Sequence, residues 1–410
     1  MISLVLASLL ANAAAPAVAA GTTGPDPAPS SDEEQKKLEE EIKKELGTSG
    51  GGGSAAPVTP PAAPSTPSGA SQTGGNPFAR LLLLPDISAI GSAALAWNHL
   101  DVGRLSPRDQ PFSPPDTVEP IFQELEVGLQ AVVDPYVRAD IFLTFDPSGA
   151  GVEEAYLTTL SLPASLQIRA GELYAPFGRI NQQHGHVWDF VDRPIALARL
   201  LAVDGLRGPG LIVSWLAPTS WFAELDLSYQ AVAPAFDGDS HVAEFGRLLQ
   251  FFDVGSYGAL GVGFSGAHIN ESGVNSSRNI LGTDLFLKLR PPSSRSYVAL
   301  QAEALLRQLN GFEAAGGPNG PEAPGTAWGG YAQAVYRDGP FFEYGGRYER
   351  APGVSGAPEN RISGLASWLP SEFERIRLEV SYDRLPGGTD GLEALLHLEF
   401  IIGSHGAHPF

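Results

Sequence analysis

From Asp86 to Ile402 apolar and polar residues alternate with a period of two, in segments cut by turn residues. Leu125, Val127, Leu129 and Ala131 share one face of a stretch whose other face carries Glu124, Glu126, Gly128 and Gln130. Ile376, Leu378, Val380 and Tyr382 oppose Arg375, Arg377, Glu379 and Ser381 in the same way, and Leu396, Leu398, Phe400 and Ile402 oppose His397 and Glu399. Successive side chains of a strand point to opposite faces, so this is strand periodicity with one apolar face. The pattern predicts sixteen strands, near 87–97, 120–133, 136–145, 152–162, 165–175, 207–217, 220–231, 242–252, 256–269, 279–290, 295–307, 326–338, 340–350, 360–369, 372–384 and 392–402. The 242–252 segment is the weakest, because Arg247–Phe252 also reads as a helical turn.

A soluble sandwich and a membrane barrel both alternate in this way, and two features choose between them. Tight turns such as Asp134-Pro135, Ala217-Pro218-Thr219, Asp338-Gly339-Pro340 and Leu369-Pro370-Ser371 alternate with more variable, often longer connections. Short turns at one end and longer loops at the other are the habit of outer-membrane barrels. The polar face also stays charged along nearly every strand, with mixed signs. A closed barrel puts the apolar faces in lipid and the charges in a wet lumen, and it leaves no strand edge unpaired. The predicted fold class is therefore all-β, a transmembrane antiparallel β-barrel of about sixteen strands over 85–410.

The chain ahead of the barrel differs in kind. Ile2 to Leu10 is almost wholly apolar, and Ala17-Val18-Ala19 fits a small-x-small cleavage pattern, so 1–20 reads as a signal peptide. Residues 21–30 read as disordered. Ser31 to Leu46 carries a capping box from Ser31 to Glu34 and the i,i+4 pairs Glu33–Lys37, Glu39–Lys43 and Glu40–Lys44, which predicts one short charged helix. Its thin stripe of Leu38, Ile42 and Leu46 leaves two readings open, a short oligomerising coiled coil or a solvated helix. Residues 47–84, rich in Gly, Pro, Ser and Ala, read as linker.

Composition narrows the chemistry. The chain has no Cys, which excludes disulfides, thiolate metal sites and a cysteine nucleophile. Its 26 basic against 46 acidic residues, a net charge of −20, argue against a nucleic-acid partner. None of its eight histidines lies in a serine-hydrolase context, and Gly316–Gly320 lacks the Lys-Ser/Thr of a phosphate cradle, so neither an enzyme nor a cofactor is expected.

Arg169-Ala170-Gly171-Glu172-Leu173-Tyr174-Ala175-Pro176-Phe177-Gly178-Arg179-Ile180-Asn181, then His184 and Phe190-Val191-Asp192-Arg193-Pro194, together with Gly205-Leu206-Arg207 and the tail from Ile402 to Phe410, form a recognisable set. With them the chain resembles a family of porin-like outer-membrane β-barrels of Gram-negative bacteria, whose members are often labelled zinc-regulated TonB-dependent outer-membrane receptors. The resemblance spans Pro85 to Phe410. It implies insertion in the outer membrane by the barrel-assembly machinery, contact with outer-membrane lipid, and passive passage of small solutes or ions. It also implies an N-terminal helix and linker left in the periplasm, and a homotrimer, since porins are often trimers. TonB-dependent receptors have twenty-two strands and a plug. Here sixteen strands take up roughly 20 residues each, typical of porin-size barrels, which leaves nothing for a plug. Phe410 supplies the terminal aromatic that marks barrels for assembly, although the alternation stops at Ile402.

The longest connection, 176–206, is the third on the long-loop side. In general porins that loop folds into the lumen, which makes Arg179, His184, His186, Asp189, Asp192, Arg193 and Arg199 candidate constriction residues. Lumen-wall candidates are Glu124, Glu126, Arg138, Asp140 and Arg169, with Glu303, Arg375 and Arg377 further along. His184-x-His186 and His405-x-x-His408 admit a metal reading beside that of ordinary loop histidines; on an extended stretch the first pair would project to one side. Besides simple sieving, a ligand-specific transport or receptor barrel, with zinc as one candidate ligand, and a non-conducting envelope scaffold stay open.

Overall fold

The computed structural model describes residues 85–101, 111–202, 204–232, 242–271, 276–310, 325–353, 357–385, 388 and 390–403. The predicted signal peptide, charged helix and linker lie outside the described residues, as do His405, His408 and Phe410.

Sixteen strands run in chain order: β1 (Asp86–His99), β2 (Glu119–Asp134), β3 (Val137–Asp146), β4 (Gly149–Thr159), β5 (Leu166–Tyr174), β6 (Arg207–Leu216), β7 (Phe222–Ala231), β8 (Val242–Val254), β9 (Gly258–Glu271), β10 (Ser276–Leu289), β11 (Tyr297–Asn310), β12 (Gly325–Asp338), β13 (Phe342–Pro352), β14 (Pro358–Ser371), β15 (Glu374–Arg384) and β16 (Asp390–Gly403). Each pairs with its sequence neighbours, and β1 pairs antiparallel with β16, so the sheet closes on itself. The 242–252 segment is a strand and not a helical turn, fully paired from Phe222↔Phe251 to Ala231↔Val242.

The alternation sorts inside from outside as a membrane barrel requires. On β15 Leu378, Val380 and Tyr382 face outward while Arg377, Glu379, Ser381 and Asp383 are buried within the barrel. On β11 Leu300 and Leu306 face out, and Gln301, Glu303 and Arg307 face in. An apolar exterior around a charged interior is the reverse of a water-soluble protein and is stable when lipid covers the outside. Antiparallel closure satisfies the strand backbones within the sheet, as hydrocarbon surroundings demand.

The two ends differ. One carries the turns 135–136, 255–257, 339–341 and 372–373; the other carries the connection 175–206. The rule has an exception at the long-loop end, where Pro147-Ser148 joins β3 to β4 in two residues. The third loop is not structureless. It holds 3-10 turns at Ile180–Gln182 and Gly185–Val187 and a helix, α1 (Ile195–Leu200). Pro194 sets the backbone entering α1, Ala, Leu and Arg favour the helical turn, and the Ile195 N–H donates to Glu349 Oε2 at 2.6 Å.

Candidate functional site

The third loop lies inside the barrel. Phe177, Ile180, Ile195, Leu197, Leu200 and Leu206 are almost completely buried and pack on inward-facing Phe245, Ile269, Ile280, Leu305 and Tyr331 of the wall. Inward-facing glycines make room for it. A Cβ on Gly282 would stand 2.8 Å from the Phe177 ring, and one on Gly329 would stand 3.3 Å from a Leu200 methyl. Burial of this apolar surface holds the loop against β8–β13.

The A-P-F-G-x-x-N block now has a structural explanation. Phe177 is the first anchor. Gly178 adopts φ +59°, where a side chain would be strained and would also collide with Glu303. Asn181 ties the loop's two ends together: its Nδ2 donates to the Ala175 and Leu206 carbonyls at 3.0 and 3.1 Å, and its Oδ1 accepts the Leu206 N–H at 2.8 Å.

Polar wall residues clamp the rest. Glu303 accepts the N–H groups of Arg179 and Ile180 at 3.1 and 2.9 Å and the Tyr331 hydroxyl at 2.8 Å. Glu379 accepts the Val191 N–H at 2.7 Å. Arg375 donates to the His186 carbonyl at 2.5 Å and Arg377 to the Trp188 carbonyl at 2.9 Å. Asp192 lies between Arg347 and Arg361, with Arg361 Nη1 at 2.7 Å. Burial alone would raise the Asp192 carboxyl, but the two guanidiniums outweigh it and hold it below the usual range. Asp189 goes the other way: burial and Glu343 push it up against the pull of Arg375, Arg179 and Arg377.

The loop divides the lumen. A cavity of about 440 Å³ on the long-loop side is bordered by Glu124, Asp146, Glu153, Arg193, Arg207 and Arg361, among others. A cavity of about 320 Å³ on the turn side is bordered by Arg179, Asp189, Lys288, Glu343, Arg347 and Arg375, among others. Trp188 and Asp192 border both. Of the seven constriction candidates, Arg179, Asp189, Asp192 and Arg193 thus reach a cavity. Arg199 is buried in α1, donating to Glu359 at 2.5 Å and to the Pro352 carbonyl at 2.8 Å, so it anchors the loop.

His184 and His186 sit in a buried acidic corner beside β2 and β4. His184 Nδ1 is 2.9 Å from Glu126 Oε2, its Nε2 is 2.9 Å from Glu154 Oε2, and His186 Nδ1 is 3.1 Å from the same Glu126 oxygen. Burial pulls the His184 imidazole down, but the bonds to Glu126 and Glu154 and the nearby Glu153 carry it well above its ordinary value. The segment is a 3-10 turn and not extended; the rings meet edge to face at 5.7 Å and converge on Glu126. Of the wall candidates, Glu124 borders the long-loop cavity, Glu126 joins the histidines, and Arg138 pairs with buried Asp140 at 2.9 Å near the turn end. Arg169 is half-buried on β5. Glu303, Arg375 and Arg377 serve the loop.

Several residues that matter here were not among the sequence candidates: Trp188, Arg347, Arg361, Glu153 and Glu154. The β3–β4 register shifts between Phe142↔Glu154 and Leu143↔Val152, which leaves Glu153 as the extra residue of a bulge. That bulge buries two consecutive glutamates, which strict alternation forbids.

No protein-family model matches the chain. An uncharacterized protein of Aquifex aeolicus is 30% identical over 327 residues, covering 70% of this chain and 69% of that protein. The chain belongs to the family of that Aquifex protein. Among solved structures, the anion-selective porin of Comamonas acidovorans superposes with a TM-score of 0.52 at 10% identity, covering 78% of this chain and 99% of the porin. The outer-membrane channel DcaP of Acinetobacter baumannii gives 0.53 at 13% identity, covering 78% and 97%. OprB of Pseudomonas putida gives 0.52 at 9%, covering 78% and 94%. The fold is the closed sixteen-strand barrel of the porins.

Proposed function

We propose that the protein is an outer-membrane channel through which small hydrophilic solutes or ions diffuse, with residues 176–206 as its constriction. The observation that carries this reading is the inward-folded loop between two polar cavities, with Trp188 and Asp192 on the border of both. The apolar outer face and the porin-type fold support the membrane setting. A solute crossing the barrel passes the Trp188–Asp192–Arg193 segment beside β13–β15, where Arg347, Arg361, Arg375 and Arg377 interleave with Glu343, Glu379 and Asp383, and beside Glu124 and Glu153 on β2 and β4. Fixed charges of both signs along a narrow passage orient polar solutes and penalise apolar ones. The long-loop end faces outward in this reading, with the N-terminal region in the periplasm and the barrel-assembly machinery and homotrimer as partners. Trp188→Ala tests it: single-channel conductance should rise, because the indole borders both cavities. Unchanged conductance in a folded variant would remove this segment from the path.

A further inference from the structure

Beyond conduction, the acidic corner holds an arrangement that channel function does not require. Around Glu126 Oε2 stand His184 Nδ1 at 2.9 Å and His186 Nδ1 at 3.1 Å. Glu153 Oε2 is 3.6 Å from His184 Nδ1. That glutamate oxygen is buried and accepts no hydrogen bond, although Glu153 Oε1 takes the Tyr174 hydroxyl at 2.8 Å. A carboxylate oxygen buried without a donor is costly, and a cation beside it removes the cost.

We propose that Glu126, His184 and His186, joined on binding by the neighbouring Glu153, form a site for a borderline divalent cation such as Zn²⁺, which fastens the third loop to the β2–β4 wall. Tetrahedral zinc with bonds near 2.0–2.1 Å places its ligand atoms about 3.3 Å apart; the two histidine nitrogens already stand 2.9 and 3.1 Å from the Glu126 oxygen, and the Glu153 carboxylate turns in to become the fourth ligand. Two imidazoles with two carboxylates suit Zn²⁺ better than Mg²⁺ or Ca²⁺, which favour all-oxygen sets. The surroundings resemble a prepared metal site. Glu154 Oε2 takes the proton of His184 Nε2 at 2.9 Å, which directs Nδ1 at the cluster in a carboxylate–histidine–metal relay. Tyr174 orients Glu153, and the Phe142 ring packs edge-on against His184 with centroids 4.7 Å apart. Entry is from the 440 Å³ cavity, which Glu124, Glu153 and Gly185 border. On binding, the ion takes the place of the proton between His184 Nδ1 and Glu126, and that proton is released to solvent.

The test is calorimetric titration of ZnCl₂ into chelator-stripped, refolded full-length protein in detergent, with heat-modifiable gel mobility as the check on folding. The expected result is one Zn²⁺ per chain, with MgCl₂ giving no comparable heat. Glu154→Gln should weaken binding about 10- to 100-fold, and Glu153→Gln and His186→Gln should weaken it at least as much. The last two leave the His184–Glu126–Glu154 bonds in place, so they keep the test valid if His184→Ala fails to fold. A His405→Ala/His408→Ala double variant should bind as the wild type does. Absence of zinc uptake by folded wild type would overturn the proposal. So would unchanged affinity in both Glu153→Gln and His186→Gln, or loss of binding in the tail variant.

Discussion

Replacing Leu200 by Ala should loosen the constriction loop while leaving the barrel closed. Leu200 is fully buried in α1 and rests over Gly329 on β12. Gly329 has no side chain to collapse into the space left behind, so the cavity persists. A Leu→Ala change at such a site costs about 2–5 kcal/mol. The wall strands keep their ladders, so the cost falls on loop docking. At about 1.4 kcal/mol per factor of ten, the population of undocked loop should rise from about 30-fold to about 4,000-fold. Two assays read this in refolded protein: open-channel current noise in planar bilayers, and the rate of tryptic cleavage after Arg179 and Arg199. Both should increase. Leu306→Ala serves as the control, because Leu306 faces outward from β11 and does not touch the loop core. If folded Leu200→Ala shows wild-type noise and wild-type cleavage, apolar packing does not hold the loop in the lumen.

Asp192→Asn leaves Arg347 and Arg361 without their shared carboxylate; the reversal potential in asymmetric KCl should move toward anion preference, and loop docking should lose about 3–5 kcal/mol, read by the same proteolysis. Of the two loop carboxylates, Asp189 should take up its proton before Asp192 as pH falls, and the step toward anions that this adds to the reversal potential should be missing in Asp189→Asn. A step that persists in Asp189→Asn would assign it to another group. Leu396→Arg, near the middle of β16 and facing outward, should cost about 2–4 kcal/mol in urea titrations of vesicle-folded protein, since it puts a cation in the hydrocarbon. Tolerance there would contradict the assignment of the outer face.

The barrel was legible because a lipid-facing strand has one strict requirement, an apolar residue at every second position, and Leu378-x-Val380-x-Tyr382 states it openly. Strand boundaries followed from the same rule. The loop's landing site was written less plainly, as apolar residues on the inward phase: Phe245, Ile269, Ile280 and Leu305 sit where the pattern calls for polar groups. Read as noise in the alternation they mean little; read together they mark a dry wall. The third loop's position in the lumen came from analogy, whereas its inner structure came from Asn181 and Gly178, whose roles need coordinates. Glu303, Arg375 and Arg377 lie on the inward phase as expected, but sequence could not show that they grip backbone groups of the loop. Glu153 escaped notice because a bulge breaks the period that was being used to read the strand. The convergence of His184 and His186 on Glu126 depends on a contact across 58 residues of chain.

The most direct test of the channel proposal is single-channel recording of the refolded protein in planar bilayers, with reversal potentials taken in asymmetric KCl. A barrel divided by its third loop but bordered on both sides by polar cavities predicts steady, discrete conductance steps, enlarged by Trp188→Ala and shifted toward anions by Asp192→Asn. Electrical silence from protein shown to be folded by heat-modifiable mobility would contradict it and make the loop a plug.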